Sequence, residues 1–323
     1  MEKIIAQIQK FKPNLKENSI KTYLVSLKKI NKCVGDDQKE DKFKFPEDPS
    51  FLKDTDKVLD CIKDELDTTK KNRLSAIVVY LKSFEDDKNL KIIDTYSKEM
   101  ESVALKYQKQ IDKQELTKKQ KDNLITMDEF KDIINDMFNQ IVLQKLYKKT
   151  ELNNKEYSEL QNYILLRLYL EYPLRNDLAE VMIINSKKSD NGSKNYLLVR
   201  KESVYLLLNK YKTDKIYGKK VYKFDDNLVK LVNLLLKHNK SGYLLTKYNR
   251  RDPISKNDLT KLLNRIFRKQ TGKTIGTSLL RHIQISEDRK NTPTIKEIEE
   301  SNKKIEDRFL HSNSMNQEYR KIK

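Results

Sequence analysis

Apolar residues recur at three- and four-residue steps through most of the chain. From Ser19 onward, Ile20, Tyr23, Leu24, Leu27 and Ile30 fall on one helical face, with Lys21, Lys28 and Lys29 on others, so an amphipathic helix is expected. The polar stretch 36–53, with Pro46 and Pro49, reads as a loop. Val58, Leu59, Ile62 and Leu66 mark a second helix, and Leu74, Ile77, Val78 and Leu81 a third. A longer helical pattern carries Ile93, Tyr96, Met100, Val103 and Tyr107. From Gln108 to Asn123 charged and amide residues leave little to bury, and 112–124 is expected to be a linker. Its Lys113, Lys118, Lys119 and Lys121 suit a segment lying along a phosphate backbone and equally a solvated connector.

Beyond it the pattern restarts sharply. Thr126 and Glu129 form a capping box, and Ile125 and Phe130 are spaced as a hydrophobic staple, which predicts a helix over 127–147. A second, 156–171, is apolar all round and is expected at the centre of a core. Between 181 and 224 the runs VMIINS, NYLLVRK, VYLLLNKYK and KKVYKF predict three or four short strands, expected to form an antiparallel sheet. Helices resume at 228–236, at 259–267 ahead of Gly272, and at GTSLLRHIQIS (276–286), followed by a charged helix or loop to 309. Only six glycines and six prolines occur, which disfavours a mainly β architecture. The expected fold is mainly α with a small antiparallel β-sheet, in two domains, 1–111 and 125–323.

Composition changes this picture little but narrows the partners. A chain of 323 residues exceeds one ordinary core, in keeping with two domains. Lys and Arg number 67 against 48 acidic residues, a formal charge of +19, which points to a polyanion, DNA or RNA, rather than a small neutral substrate. A lysine-rich proteome accounts for the same excess, because Lys, Asn and Ile are abundant throughout. Cys33 and Cys61 lack metal-ligand spacing, so reduced thiols in an intracellular protein are expected. With His238, His282 and His311 as the three histidines and no CxxC or HExxH, neither metal nor other cofactor is expected. No apolar run approaches a membrane span, and MEKIIAQIQKFKPN lacks the features of a signal peptide, so no export or membrane anchoring is expected.

Candidate chemistry lies near the end of the sequence. In LHSNSMNQEY (310–319) His311 and Tyr319 stand close together in an intensely basic chain, as a nucleophilic tyrosine and a phosphate donor would. The pair is weak by itself and gains force from Arg175, in YPLRNDLAEV, and Arg281, in LLRHIQIS. A phosphate under attack gains charge on its non-bridging oxygens, and two guanidinium groups each donate paired hydrogen bonds to such oxygens. A phenol with a pKa of about 10 is a poor nucleophile near neutrality and needs an electropositive pocket.

These motifs, in the order R, RH, H, Y, resemble those of the tyrosine recombinases. YPLRNDLAEV is similar to the first signature, an arginine followed by an acid at a helix start; LLRH is similar to HxLRH; and LHSNSMNQEYRK is similar to the closing turn and nucleophile. NSIKTYLVSLKKI resembles the first helix of the family's helical core-binding domain, which makes 1–111 that DNA-binding domain and 125–323 the catalytic one. The resemblance implies a site-specific recombinase or integrase that cleaves and rejoins DNA through a 3′-phosphotyrosyl intermediate without ATP or metal. It assigns Tyr319 as nucleophile, Arg175 and Arg281 as the phosphate clamp, and His311 as a further donor. It also implies a general-acid lysine on a β-hairpin turn, for which Lys212 matches best, with Lys210 and Lys215 as rivals and three surface lysines as the plainer reading. Ser278 stands where the motif has its first histidine, as a hydroxyl donor or as the cap of the helix carrying Arg281. His282 is expected to be packed or to support the arginine rather than to act catalytically. Asp177 and Glu180 are candidates to orient the arginines, although an acid at a helix start also suits the dipole. The gap from Arg281 to His311 is longer than usual and that from His311 to Tyr319 one residue shorter, similar to recombinases of large DNA viruses and their parasites.

The implied partners are double-stranded DNA and three further copies of the chain, a homotetramer on two sites. Only Arg320–Lys323 follow Tyr319, so protomer contacts are expected elsewhere, the 287–309 segment among them. A type IB topoisomerase and a DNA-binding relative that has lost catalysis are the alternatives.

Overall fold

The structure, a computed structural model, describes residues 2–35 and 48–309. It is mainly helical with one small sheet, and it divides into two compact units: residues up to Glu115 together with the segment from Thr294, and Leu116–Pro293.

In the first unit α1 (Glu2–Phe11) buries Ile4 and Ile8, a pattern too short to stand out in the sequence. Helix α2 (Glu17–Val34) buries Ile20, Leu24, Leu27 and Ile30, the face its periodicity predicts. After it come α3 (Thr55–Ile62), capped by the Asp54 carboxylate, α4 (Asp67–Lys82) and α5 (Leu90–Asp112). Helix α4 is buried nearly all round from Leu74 to Leu81 and packs against α2 and α5. Tyr96 is fully buried, and its hydroxyl donates to the Leu52 carbonyl at 2.8 Å, which satisfies the one polar atom of the ring. The expectation of reduced thiols is corrected here: Cys33 and Cys61 form a disulfide. The last turns of α2 and α3 bring their Cα atoms to 6.1 Å, a separation that a spacing rule for metal sites does not test.

The second unit opens inside the stretch expected to be a linker. Thr117 and Gln120 form a capping box that starts α6 (Lys118–Asn123). Two long-range bonds anchor it: Lys273 Nζ donates to the Leu124 carbonyl at 2.6 Å, and the Thr274 N–H to Asn123 Oδ1 at 2.6 Å. The helix buries nothing, so no apolar pattern announces it. Both halves of the Thr126–Glu129 box form at α7 (Met127–Leu143), with Ile125 and Phe130 buried. The helix stops short of 147, because Lys145 takes a left-handed conformation at φ 53°. Helix α8 (Asn154–Glu171) is the central one, burying Tyr157, Leu160, Ile164, Leu165, Leu168 and Tyr169 around its circumference.

The sheet comprises β1 (Met182–Ile184), β2 (Tyr196–Val199), β3 (Val204–Leu208) and β4 (Lys220–Lys223), in that spatial order. Strands β2, β3 and β4 pair antiparallel, but β1 runs parallel to β2, with Met182 opposite Tyr196, so the sheet is mixed rather than antiparallel. The connection through 185–195 is long enough to carry the chain back to the end from which β1 started. A short α9 (Asp214–Tyr217) lies between β3 and β4, and α10 (Asp226–His238) follows the sheet. Helix α11 (Lys256–Thr271) ends on Gly272, whose φ of 73° suits a residue without Cβ, and α12 (Thr277–Asp288) completes the unit. The last described helix, α13 (Ile295–Phe309), belongs to the first unit, where the Ile295 N–H donates to Gln114 Oε1 at 3.0 Å.

Candidate active site

Arg175 lies in the connection from α8 to β1, just ahead of a single 3-10 turn, Asn176–Leu178. That turn replaces the helix start expected after it. Its backbone is held from two sides. The Tyr169 hydroxyl donates to the Arg175 carbonyl at 2.9 Å, and burial pushes the Tyr169 phenol far above its usual range, so it stays a neutral donor. Asn176 donates to the Lys256 carbonyl at 3.1 Å and to Thr260 Oγ1 at 2.9 Å, and accepts from the buried Thr277 hydroxyl at 3.0 Å. One side chain thereby ties the Arg175 turn to the first turns of α11 and α12.

Helix α12 carries Arg281, and one turn further on Gln284 fixes its orientation. The buried Gln284 amide donates to the carbonyls of Tyr169 and Leu170 at 2.6 and 3.0 Å, closing the C-terminal end of α8. Tyr169 and Gln284 thus lock the segments bearing the two arginines to the same end of one helix.

The charges converge on Asp177, which is 7% exposed. Burial raises its pKa, while Lys256, the Arg175 backbone N–H, and the charges of Arg175 and Arg281 pull the other way. Arg281 shows the reciprocal pattern: burial lowers its pKa first, repulsion from Arg175 lowers it further, and Asp177 offsets part of this. A guanidinium stays protonated throughout. Neither guanidinium makes a hydrogen bond or close ion pair among the described residues. Both guanidinium charges thus act on one buried carboxylate while their donors are uncommitted among the described residues, and guanidinium groups are able to donate paired hydrogen bonds to an oxyanion.

The β3–β4 loop, 209–219, carries Lys210, Lys212 and Lys215, all exposed. Its base is fixed by the buried Asn195, whose Oδ1 accepts from the N–H groups of Asn209 and Lys210 at 3.0 and 2.8 Å. The Asn195 amide donates to the carbonyls of Lys210 and Asp177 at 3.0 and 3.2 Å, which ties the loop to the carboxylate's own backbone. Further out, Asp190 accepts from Asn209 at 2.9 Å and pairs with Lys219, and the Tyr211 hydroxyl donates to the Gly218 carbonyl at 2.6 Å. Desolvation raises the Tyr211 phenol, and Tyr222, Asp214, Tyr217 and Asp177 add to the shift.

Other expectations come out differently. Ser278 is exposed and does not cap α12; Gly276 holds that position, because the helix begins at Thr277, one residue before Ser278. His282 is exposed rather than packed, with Nε2 3.4 Å from Gln120 Nε2. Glu180 is exposed in a left-handed conformation at φ 57° and takes no part in orienting the arginines. His311 and Tyr319 lie outside the described residues. Among the described residues no group of His, Cys, Asp and Glu side chains is placed to hold a metal, and no helix is long and apolar enough to cross a membrane. Sequence reasoning missed Asn176, Asn195, Gln284 and Lys256. Asn176, adjacent to Arg175, and Lys256, just after the Ser255 helix cap, were open to notice; Asn195 and Gln284 owe their roles to contacts distant in the chain. No protein-family model matches the chain, and no curated protein sequence matches it.

Proposed function

We propose that the chain is a tyrosine recombinase that cleaves and rejoins double-stranded DNA through a 3′-phosphotyrosyl intermediate. The observation that carries the reading is the convergence of Arg175 and Arg281, far apart in sequence, on one buried carboxylate with their donors free. In this reading the guanidinium groups take the non-bridging oxygens of the scissile phosphate and stabilise the charge that develops there. Asp177 keeps the two cations from repelling one another apart before DNA arrives. Tyr319 forms the new O–P bond as the bond from phosphorus to the 5′ oxygen breaks. A lysine of the β3–β4 loop, Lys212 by the resemblance, protonates the departing oxygen. His311 donates to a phosphate oxygen. Rejoining is the reverse, with the 5′ hydroxyl displacing the tyrosine, so the bond energy is conserved. Recombination, rather than cleavage alone, requires four copies on two sites, and that assembly belongs to the same proposal.

The test is a library of nicked duplexes that trap the covalent intermediate by losing a short 5′ fragment. Wild type gives a protein–DNA adduct; Tyr319→Phe gives none; Arg175→Ala and Arg281→Ala lower its rate by at least about a hundredfold, the scale for removing a charged transition-state donor. No adduct from wild type would sink the enzymatic reading, and an adduct formed by Tyr319→Phe would sink the choice of nucleophile. Relaxation of supercoiled plasmid without joining of two sites would assign the chemistry to a type IB topoisomerase.

A further inference from the structure

The ladder between β3 and β4 ends at the pair Leu208 and Lys220, which leaves the whole of 209–219 outside it. A strand connection of that length swings about its ends unless something outside the hairpin holds it. Here one side chain holds both ends. Asp190 comes from the β1–β2 connection, and its side chain is 3% exposed. Its Oδ1 accepts from the Asn209 amide at 2.9 Å and from the Gly192 N–H at 3.0 Å, while its Oδ2 pairs with the Lys219 ammonium. Asn209 is the first residue of the loop and Lys219 the last. Burial alone raises the Asp190 pKa, but donation from Lys219, Gly192 and Asn209 more than offsets it, and the carboxyl lies below its ordinary value. It is therefore ionised at neutral pH, and the contacts it accepts are charge-assisted.

Further ties run inward from this clamp. Asn195 fixes the backbone of Asn209 and Lys210, and the Tyr211 hydroxyl reaches across to the Gly218 carbonyl, one step inside Asn209 and Lys219. Lys210 thus stands on the fixed base and Lys215 within the short α9, while Lys212 is the first residue past the last tie on the incoming side. A proton donor must come within about 3 Å of the atom it protonates. A lysine at the edge of a pinned base is delivered to one place, whereas on an unpinned loop it is spread over the loop's own motion. The carboxylate that does the pinning lies in a different strand connection, so the placement of the loop is built into the sheet rather than into the hairpin.

We propose that Asp190 is a positioning residue, which by holding both ends of the β3–β4 loop sets where a loop lysine delivers its proton to the departing 5′ oxygen. The inference rests on the recombinase reading and deepens it. In the step concerned the bond from the Tyr319 oxygen to phosphorus forms, and the bond from phosphorus to the 5′ oxygen breaks with its electron pair staying on oxygen. That oxygen takes a proton from the loop ammonium, which is left neutral. Asp190 exchanges no proton and touches no substrate. A 5′ sulfur in place of the oxygen leaves as a thiolate, whose conjugate acid has a pKa of about 8.5, and needs no proton.

The experiment makes the nicked-duplex library twice, with oxygen and with sulfur at the 5′ bridging position, and follows adduct formation by the full chain. Wild type is compared with Asp190→Asn, Lys219→Gln and the double variant, and amide hydrogen exchange over 209–219 is recorded for each without DNA. Asp190→Asn keeps an acceptor for Asn209 and Gly192 and loses the charge that Lys219 pairs with. Lys219 is itself 39% exposed, so Lys219→Gln removes the other half of the pair without opening the core. The expected result is exchange over 209–219 faster by at least about tenfold in each single variant, the scale for losing a hydrogen bond to a charged group. Adduct formation with oxygen should slow by about a hundredfold, the scale for a misplaced catalytic group, and with sulfur should stay at the wild-type rate. The double variant should be no slower than either single one. Unchanged exchange in both single variants, or additive slowing in the double variant, overturns the clamp. Slowing that sulfur does not relieve, or a full rate with oxygen despite faster exchange, overturns the positioning role and leaves the recombinase reading intact. No adduct from wild type with either leaving group defeats the recombinase reading, and the positioning role with it.

Discussion

Asp177 holds a buried carboxylate among two guanidinium groups and the Lys256 ammonium, and burial raises its pKa in spite of them. A carboxyl raised above its unfolded value binds protons more tightly in the folded chain. Its contribution to stability is therefore present at low pH and is lost as pH rises through the folded pKa. Above that pKa the ionised group costs stability, and in the proposed reading it offsets the repulsion between the two arginines. Asp177→Asn should accordingly raise the thermal midpoint at pH 7, remove that part of the pH dependence, and slow adduct formation. A lower midpoint with unchanged cleavage would contradict its assigned role. Asn195 is the complementary case, since its amide satisfies two N–H groups and two carbonyls at the base of the lysine loop. Asn195→Ala should cost about 3 kcal/mol in denaturant unfolding, the scale for leaving such buried groups unpaired. It should also slow cleavage by more than a wild-type-like fold explains, which a normal rate in the folded fraction would refute. The arginines were legible because their motif is local: a chain reader sees LLRH and YPLRND. Asn195 was not, because an asparagine ahead of a strand looks like any turn residue until the sheet pairs it with Lys210.

At the scale of elements, periodicity located most of the helices, and the Thr126–Glu129 box placed the start of α7 to the residue. Short elements without a buried face escaped: α6 is set by a capping box and distant hydrogen bonds rather than by apolar residues. The strands were visible as β-rich runs, but the parallel pairing of β1 depends on where the 185–195 connection returns the chain, which no local pattern specifies. The disulfide has the same origin, since two cysteines 28 residues apart meet only once α2 and α3 are packed. It closes a loop whose constraint on the unfolded chain is worth about 3 kcal/mol. Cys33→Ser, or addition of reductant, should lower the stability of the first unit by about that amount in a denaturant titration. Two free thiols in the unreduced, denatured chain, with no loss of stability on mutation, would remove the disulfide from the account.

Across the whole molecule, the +19 charge left a polyanionic partner and a lysine-rich background equally open. The distribution of charge says more than its sum at one place, where the charges of Arg175 and Arg281, neither in a hydrogen bond or close ion pair among the described residues, both act on the buried Asp177. The central claim is the proposal that this arginine pair holds a phosphodiester for attack by Tyr319. The most direct measurement digests the trapped protein–DNA adduct with trypsin and a nuclease and locates the modified residue by mass spectrometry. The account predicts a nucleotide on the peptide Phe309–Arg320, attached at Tyr319 through a 3′ phosphate. A 5′ linkage, or a nucleotide on any other residue, would contradict it.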